Sequence, residues 1–272
     1  MNQSLKAAVY GLAVADALGV PYEFLTRGSF EAIEMVGYGS HQQPAGTWSD
    51  DTSLVLATCD SIREKGKIDP ADMQQRFKNW LFEGVYTPDG LTFDVGNATR
   101  EALTRGHGLS DECFNGNGSL MRILPLAFTG TGPSDIEAVS SITHAHATSV
   151  EACLLYVDIA RRLLKGQQLP EILSDIETSK TYARLQTLAE LTEDDIRSSG
   201  YVVDTLEAAL WCLLTSTSYP ETVLKAVNLG DDTDTVAAVA GGLAGIIYGL
   251  EGIPDNWLAQ LRNKELLESC LF

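Results

Sequence analysis

Apolar residues recur along most of the chain at the three- and four-residue spacing of a buried helix face, as in Val150, Cys153, Leu154 and Val157. Polar start signals stand in front of several such runs. Asp69-Pro70 sets an N-cap before a proline at the first helical position, and Ser134 with Glu137, Thr148 with Glu151, and Asp204 with Glu207 have capping-box spacing. No run of alternating β-branched residues is long enough to build a sheet. The pattern predicts an all-α fold, a single-domain helical bundle over residues 1–272, without internal repeats.

The connections from about Arg27 to Ser49, Gly84 to Gly96 and Gly106 to Gly118 are long and glycine-rich, and ordered loops of that length usually carry function. The polar span from Glu171 to Arg197 is expected to be an outer helical excursion. Near Thr235 begins a helix with almost no polar face, which should therefore be buried. Gly241, Gly245 and Gly249 recur there every fourth residue, a smooth stripe that lets another helix backbone approach.

Charge narrows the partners. Lys and Arg number 19 against 37 Asp and Glu, a formal net charge of −18, and no basic cluster interrupts it. Such a surface repels phosphate backbones and anionic lipid heads, so neither a nucleic acid nor a membrane is an expected partner. The five cysteines are scattered, form no CxxC pair and read as reduced thiols. The apolar run from Ala7 to Val20 is interrupted by Asp16 and lacks a secretory signal's features, and the uncharged stretch Thr235–Leu250 is too short to span a bilayer. A cytoplasmic, monomeric protein is expected.

Two acidic clusters carry the chemistry. Ser49-Asp50-Asp51-Thr52 precedes one apolar helix, and Gly230-Asp231-Asp232-Thr233-Asp234-Thr235 precedes the glycine-striped one. Both offer carboxylate and hydroxyl oxygens only, donors that select Mg²⁺, Mn²⁺ or Ca²⁺ over zinc or copper. Ser, Thr and Asp also cap helices, which accounts for one or two such residues at each start. The crowding of several like charges goes beyond what capping uses, and a bound cation is the simplest compensation.

Three further features are weaker alone. The first predicted helix ends near Gly19, and the next turn presents Glu23, an ordinary loop carboxylate if nothing else were known. Asn115-Gly-Asn-Gly-Ser119 enters a short helix and offers backbone N–H groups to a phosphate. His144 and His146 form an HxH pair without a third soft ligand at a useful spacing, so one of them donating to a phosphate competes with zinc binding. Asp94 reads as the approach to a helix over Asn97–Leu103.

Taken together, Ala15-Asp16-Ala-Leu-Gly19 with Glu23, Ser49-Asp50-Asp51-Thr52, Asp94-Val-Gly96-Asn97, Gly116-Asn117-Gly118-Ser119-Leu-Met-Arg122, Thr143-His144 and the cluster at 230–235 fall in the order of the ADP-ribosylglycohydrolase family, which the chain resembles from about residue 6 to 250. The resemblance implies an all-α fold around two Mg²⁺ or Mn²⁺ ions. By position, Ser49, Asp50, Asp51, Asp232, Asp234 and Thr235 would ligate the metals, and catalysis would fall to Glu23 with Asp50 and Asp234. Gly118, Ser119 and His144 would hold the pyrophosphate of ADP-ribose, and Asp94 would face a leaving guanidinium. The implied substrate is an ADP-ribosylated protein, with arginine the favoured linkage. Serine-linked, polymeric or small ADP-ribose conjugates stay open, as do a two-metal phosphohydrolase and a non-catalytic ADP-ribose-binding protein. Two departures from the family pattern are Ser49 in place of threonine and Asp231 in place of glycine, the latter a competing ligand or a solvent-facing charge.

Overall fold

The computed structural model describes residues 2–272. Asn2 caps helix α1 (Gln3–Gly19) by accepting the Ser4 and Leu5 N–H groups, and a 3₁₀ turn at Val20–Tyr22 continues it. Helices α2 (Asp50–Lys65) and α3 (Pro70–Glu83) follow the first long connection, and α4 (Asn97–Arg105) follows the second. The remainder comprises α5 (Pro133–Ser140), α6 (Ala147–Leu164), α7 (Leu169–Asp175), α8 (Val202–Leu214), α9 (Tyr219–Asn228), α10 (Thr233–Tyr248), α11 (Asp255–Gln260) and α12 (Lys264–Cys270). Pairing outside helices is limited, among the described residues, to isolated bridges such as Leu109 with His144. The all-α expectation holds. No helix among the described residues is long and apolar enough to cross a membrane.

Asp69 caps α3 as its sequence predicts, accepting the Asp72 N–H ahead of Pro70. The three capping boxes do not form. Pro133 takes the first position of α5 and moves the cap to Gly132, so Ser134 lies inside the helix. His146 caps α6 through the Thr148 N–H. Helix α8 starts from Tyr201, and Asp204 instead accepts from the Ser199 hydroxyl at 2.6 Å. The outer excursion contains α7 and a long 3₁₀ segment, Lys180–Glu190, and the one capping box found there pairs Thr192 with Asp195.

Helix α10 starts two residues earlier than expected and is buried from Thr233 to Gly245. It crosses α1 at glycines. A Cβ on Gly11 would sit 2.5 Å from the Gly241 carbonyl oxygen, and one on Gly245 would sit 2.3 Å from that of Ala7. Gly249 does not extend the stripe, because its φ of +69° ends the helix. At the other end of the crossing, Gly19 packs on the backbone of Thr233 and Asp234, and the Thr233 hydroxyl donates to the Gly19 carbonyl at 2.8 Å. The end of α1 and the start of α10 are thereby held together. All five cysteines are free thiols; Cys113 is exposed and the other four are buried.

Candidate active site

The starts of α2 and α10 meet in the middle of the bundle. Ser49 caps α2 by accepting the Asp51 N–H, and its hydroxyl donates to Asp51 Oδ2 at 3.1 Å. The Thr235 hydroxyl donates to the same oxygen at 3.1 Å, joining segments 184 positions apart. A single buried carboxylate on α1, Asp16, organises the α2 start. It accepts the Ser49 N–H at 2.9 Å, the Thr52 N–H at 3.0 Å and the Thr52 hydroxyl at 2.5 Å. Asn117 donates to Asp232 Oδ2 at 2.9 Å and orients that carboxylate.

Glu23 is brought to the same place by backbone pairing. The Phe24 N–H donates to the Asp231 carbonyl at 2.7 Å, and the Asp231 N–H returns a bond to Leu25 at 2.9 Å. Asp231 serves through its main chain at a φ of +58°, and its side chain is exposed, so it does not compete as a ligand. Glu23 is only 5% exposed, unlike an ordinary loop glutamate, and contacts His41 Nε2. Ligand oxygens of Glu23, Asp232 and Asp234 lie within 4.8 Å of one another, and so do those of Glu23 and Asp94 with a ring nitrogen of His41. Asp94 holds a left-handed φ of +49° at the edge of the cleft.

An open cleft of about 620 Å³ including its mouth is lined by Glu23, Asp50, Asp94, Asp232 and Thr235 together with Gly116, Asn117, Gly118 and His144. Burial raises the pKa of Asp50, Asp51 and Asp234 well above the ordinary carboxylate value, with neighbouring carboxylates adding to it. Glu23 is pushed up to about 7, by burial first and then by Asp94 and Asp232 against the opposing hydrogen bond from His41. Buried carboxylates in this number need a compensating positive charge. Asp51 Oδ1, Asp232 Oδ1 and Asp234 Oδ2 are buried without a hydrogen-bond partner among the described residues, and all three belong to residues expected to hold metal. Oxygen-only donors with unpaired buried lone pairs fit a hard divalent cation.

The Gly116–Gly118 loop and His144 add no charge to this lining. Burial, followed by the charge of Arg122, lowers the His144 pKa to about 3, so its imidazole is uncharged. The Thr143 hydroxyl lies 2.8 Å from His144 Nδ1. When that hydroxyl donates, Nε2 carries the proton, and it faces Gly116. His144 and His146 do not act as a pair, since His146 is occupied as a helix cap. Ser119 departs from expectation as well: its side chain is turned into the core, where its Oγ accepts from Ser140 at 3.0 Å, leaving only its backbone N–H for a ligand. Asp16, His41 and Asn117 are site residues to which sequence reasoning gave no role.

A family profile described as ADP-ribosylglycohydrolase matches residues 2–271. The chain belongs to the ADP-ribosylglycohydrolase family. It is 38% identical over 272 residues to the ADP-ribosylarginine hydrolase Tri1 of Pseudomonas putida (strain GB-1), covering 94% of this chain and 73% of that protein. It is 33% identical to the ADP-ribosyl-[dinitrogen reductase] glycohydrolase of Rhodospirillum rubrum, covering 94% and 90% respectively. A solved structure described as an ADP-ribosylglycohydrolase-related protein complex superposes with a TM-score of 0.82 at 34% identity, over 98% of this chain and 95% of that one. The chain is thus a glycohydrolase built on this family's helical fold.

Proposed function

We propose that this enzyme hydrolyses the N-glycosidic bond between ADP-ribose and an arginine side chain of a modified protein, with two Mg²⁺ or Mn²⁺ ions in the acidic floor. Ser49, Asp50, Asp51, Asp232, Asp234 and Thr235 would hold the ions. The observation that carries the reading is the set of unpaired buried carboxylate oxygens that Asp51, Asp232 and Asp234 bring together from two distant segments, next to the cleft that Asp50, Asp232 and Thr235 line. When ionised, Glu23, Asp50, Asp51, Asp232 and Asp234 sum to −5, and two dications held there would bring the floor to −1 and lessen its repulsion of an anionic ADP-ribose. Bound ions of this class supply charge neutralisation and a grip on ribose hydroxyls and water.

The protein's own groups do the remainder. Glu23 takes a proton from the attacking water at its carboxylate and returns it toward the departing guanidine nitrogen. The bond that forms is from water oxygen to the anomeric carbon, and the bond that breaks is from that carbon to the guanidine nitrogen. Asp50 and Asp234 stabilise positive charge developing on the ribose ring. Asp94 faces the leaving guanidinium. Gly118, the Ser119 N–H and His144 hold the diphosphate. The relatives named as ADP-ribosylarginine hydrolases support this linkage over the others. The test is release of free ADP-ribose from an ADP-ribosyl-arginine protein in Mg²⁺ or Mn²⁺ buffer, which Asp50→Ala and Asp232→Ala should abolish. Unchanged hydrolysis in both variants, or release of AMP or phosphate instead, defeats the proposal.

A further inference from the structure

Arg122 is wholly buried and makes no ion pair among the described residues. Its Nη1 donates to the Gly118 carbonyl, its Nη2 donates to the Val139 carbonyl at 3.1 Å, and its guanidinium lies 4.8 Å over the Phe77 ring. Nε finds no acceptor. Burying a cation on two neutral carbonyls is costly, and the Asp50 carboxylate offsets that only through space, without an ion pair, so a further anion nearby would be stabilised. The position of the cation says where. Gly118 lines the cleft, and in a planar trans peptide the N–H points opposite to the C=O. The Gly118 carbonyl is turned inward to Arg122, so the N–H of the same peptide group, that of Ser119, is turned away from it. That N–H takes no part in the backbone hydrogen bonds of the described residues.

We infer that Arg122 is a positioning residue for anionic substrate: from beneath the cleft it fixes the Gly118 peptide by its carbonyl and sets a positive charge behind the Gly116–Gly118 loop that a diphosphate would meet. The inference rests on the functional reading above and assigns Arg122 a task within it. Arg122 touches no substrate atom. Its charge reaches the ligand through space, which the uncharged glycine loop and imidazole could not otherwise supply.

The experiment compares binding of ADP-ribose with binding of adenosine, which lacks the diphosphate, in the Mn²⁺-loaded protein by calorimetry, alongside kcat and KM on an ADP-ribosyl-arginine protein. Since hydrogen bonds backed by a charge exceed neutral ones, Arg122→Met should weaken ADP-ribose roughly tenfold or more and raise KM in step, with adenosine affinity, Mn²⁺ affinity and kcat held within about threefold. Arg122→Lys can carry a charge but loses the two-pronged hold on the Gly118 and Val139 carbonyls, so its ADP-ribose affinity should fall between wild type and the neutral variants. Arg122→Gln serves by the same ratio if the Met variant does not fold. Parallel loss of ADP-ribose and adenosine, no loss of either, or a Lys variant as weak as the neutral ones overturns the inference. Wild-type protein that binds no ADP-ribose overturns the functional reading, and this inference with it.

Discussion

Asp16 is the residue on which the α1–α2 junction turns, and its removal has a calculable cost. Asp16→Ala leaves the Ser49 N–H, the Thr52 N–H and the Thr52 hydroxyl without an acceptor in a fully buried place. A buried donor left unsatisfied costs about 1–3 kcal/mol, so three give about 3–9 kcal/mol gross. The native carboxylate is itself strained by burial, which raises its pKa to about 6 from 3.8. Relieving that charge at neutral pH returns about 3 kcal/mol at ~1.4 kcal/mol per unit. The middle of the range leaves a net loss of about 3 kcal/mol, or a fall in Tm of about 6–12 °C for a chain of this size. The assay is calorimetric melting in EDTA, where metal linkage cannot mask the change. Asp16→Asn keeps one oxygen acceptor and should lose less. An Asp16→Ala variant that melts above wild type, outside the worked net loss of about 0–6 kcal/mol, refutes the reasoning.

Two further outcomes follow from the same geometry. A carboxyl whose pKa is raised by folding binds more protons in the native than in the unfolded state between the two values, so stability falls as pH climbs through that interval. For Glu23 the interval runs from 4.5 to about 7, and for Asp16 from 3.8 to about 6. Metal-free protein should therefore melt lower at pH 8 than at pH 5, and Mn²⁺ should raise Tm more at pH 8; a metal effect larger at pH 5 contradicts this. At the helix crossing, a Cβ on Gly241 would lie 2.5 Å from both the Ala15 Cβ and the Gly11 carbonyl oxygen. Gly241→Ala should cost about 2 kcal/mol of stability and weaken Mn²⁺ binding, whereas Gly130→Ala, with open space around it, should do neither. Equal urea midpoints for the two variants would count against the crossing as the support of the site.

The helical class was legible because burial imposes a 3.6-residue period wherever a helix faces a core, and α6 and α10 carry it plainly. Helix starts were less legible, since a cap depends on how the chain enters: Pro133 pre-empted Ser134, and Ser199 occupied Asp204. The two acidic clusters stood out because each packs more like charge into one turn than capping uses. Asp16, His41 and Asn117 carried no comparable local signal, because their partners lie 33, 18 and 115 positions away. For Asp16 and Asn117 the hints were their places in the motifs Ala15–Gly19 and Gly116–Arg122, and for Asp16 also a lone carboxylate in the apolar run of α1. Ser119 shows the reverse case, a motif position whose side chain the fold turned inward while keeping its main chain in place.

Anomalous diffraction at the manganese edge, from crystals soaked in Mn²⁺, bears most directly on whether the starts of α2 and α10 form one metal centre. Two peaks should appear between the helix starts, within coordination distance of oxygens from Asp50 or Asp51 and from Asp232 or Asp234. Peaks confined to the protein surface, or the two carboxylate sets turned apart around ordered water, would contradict the account.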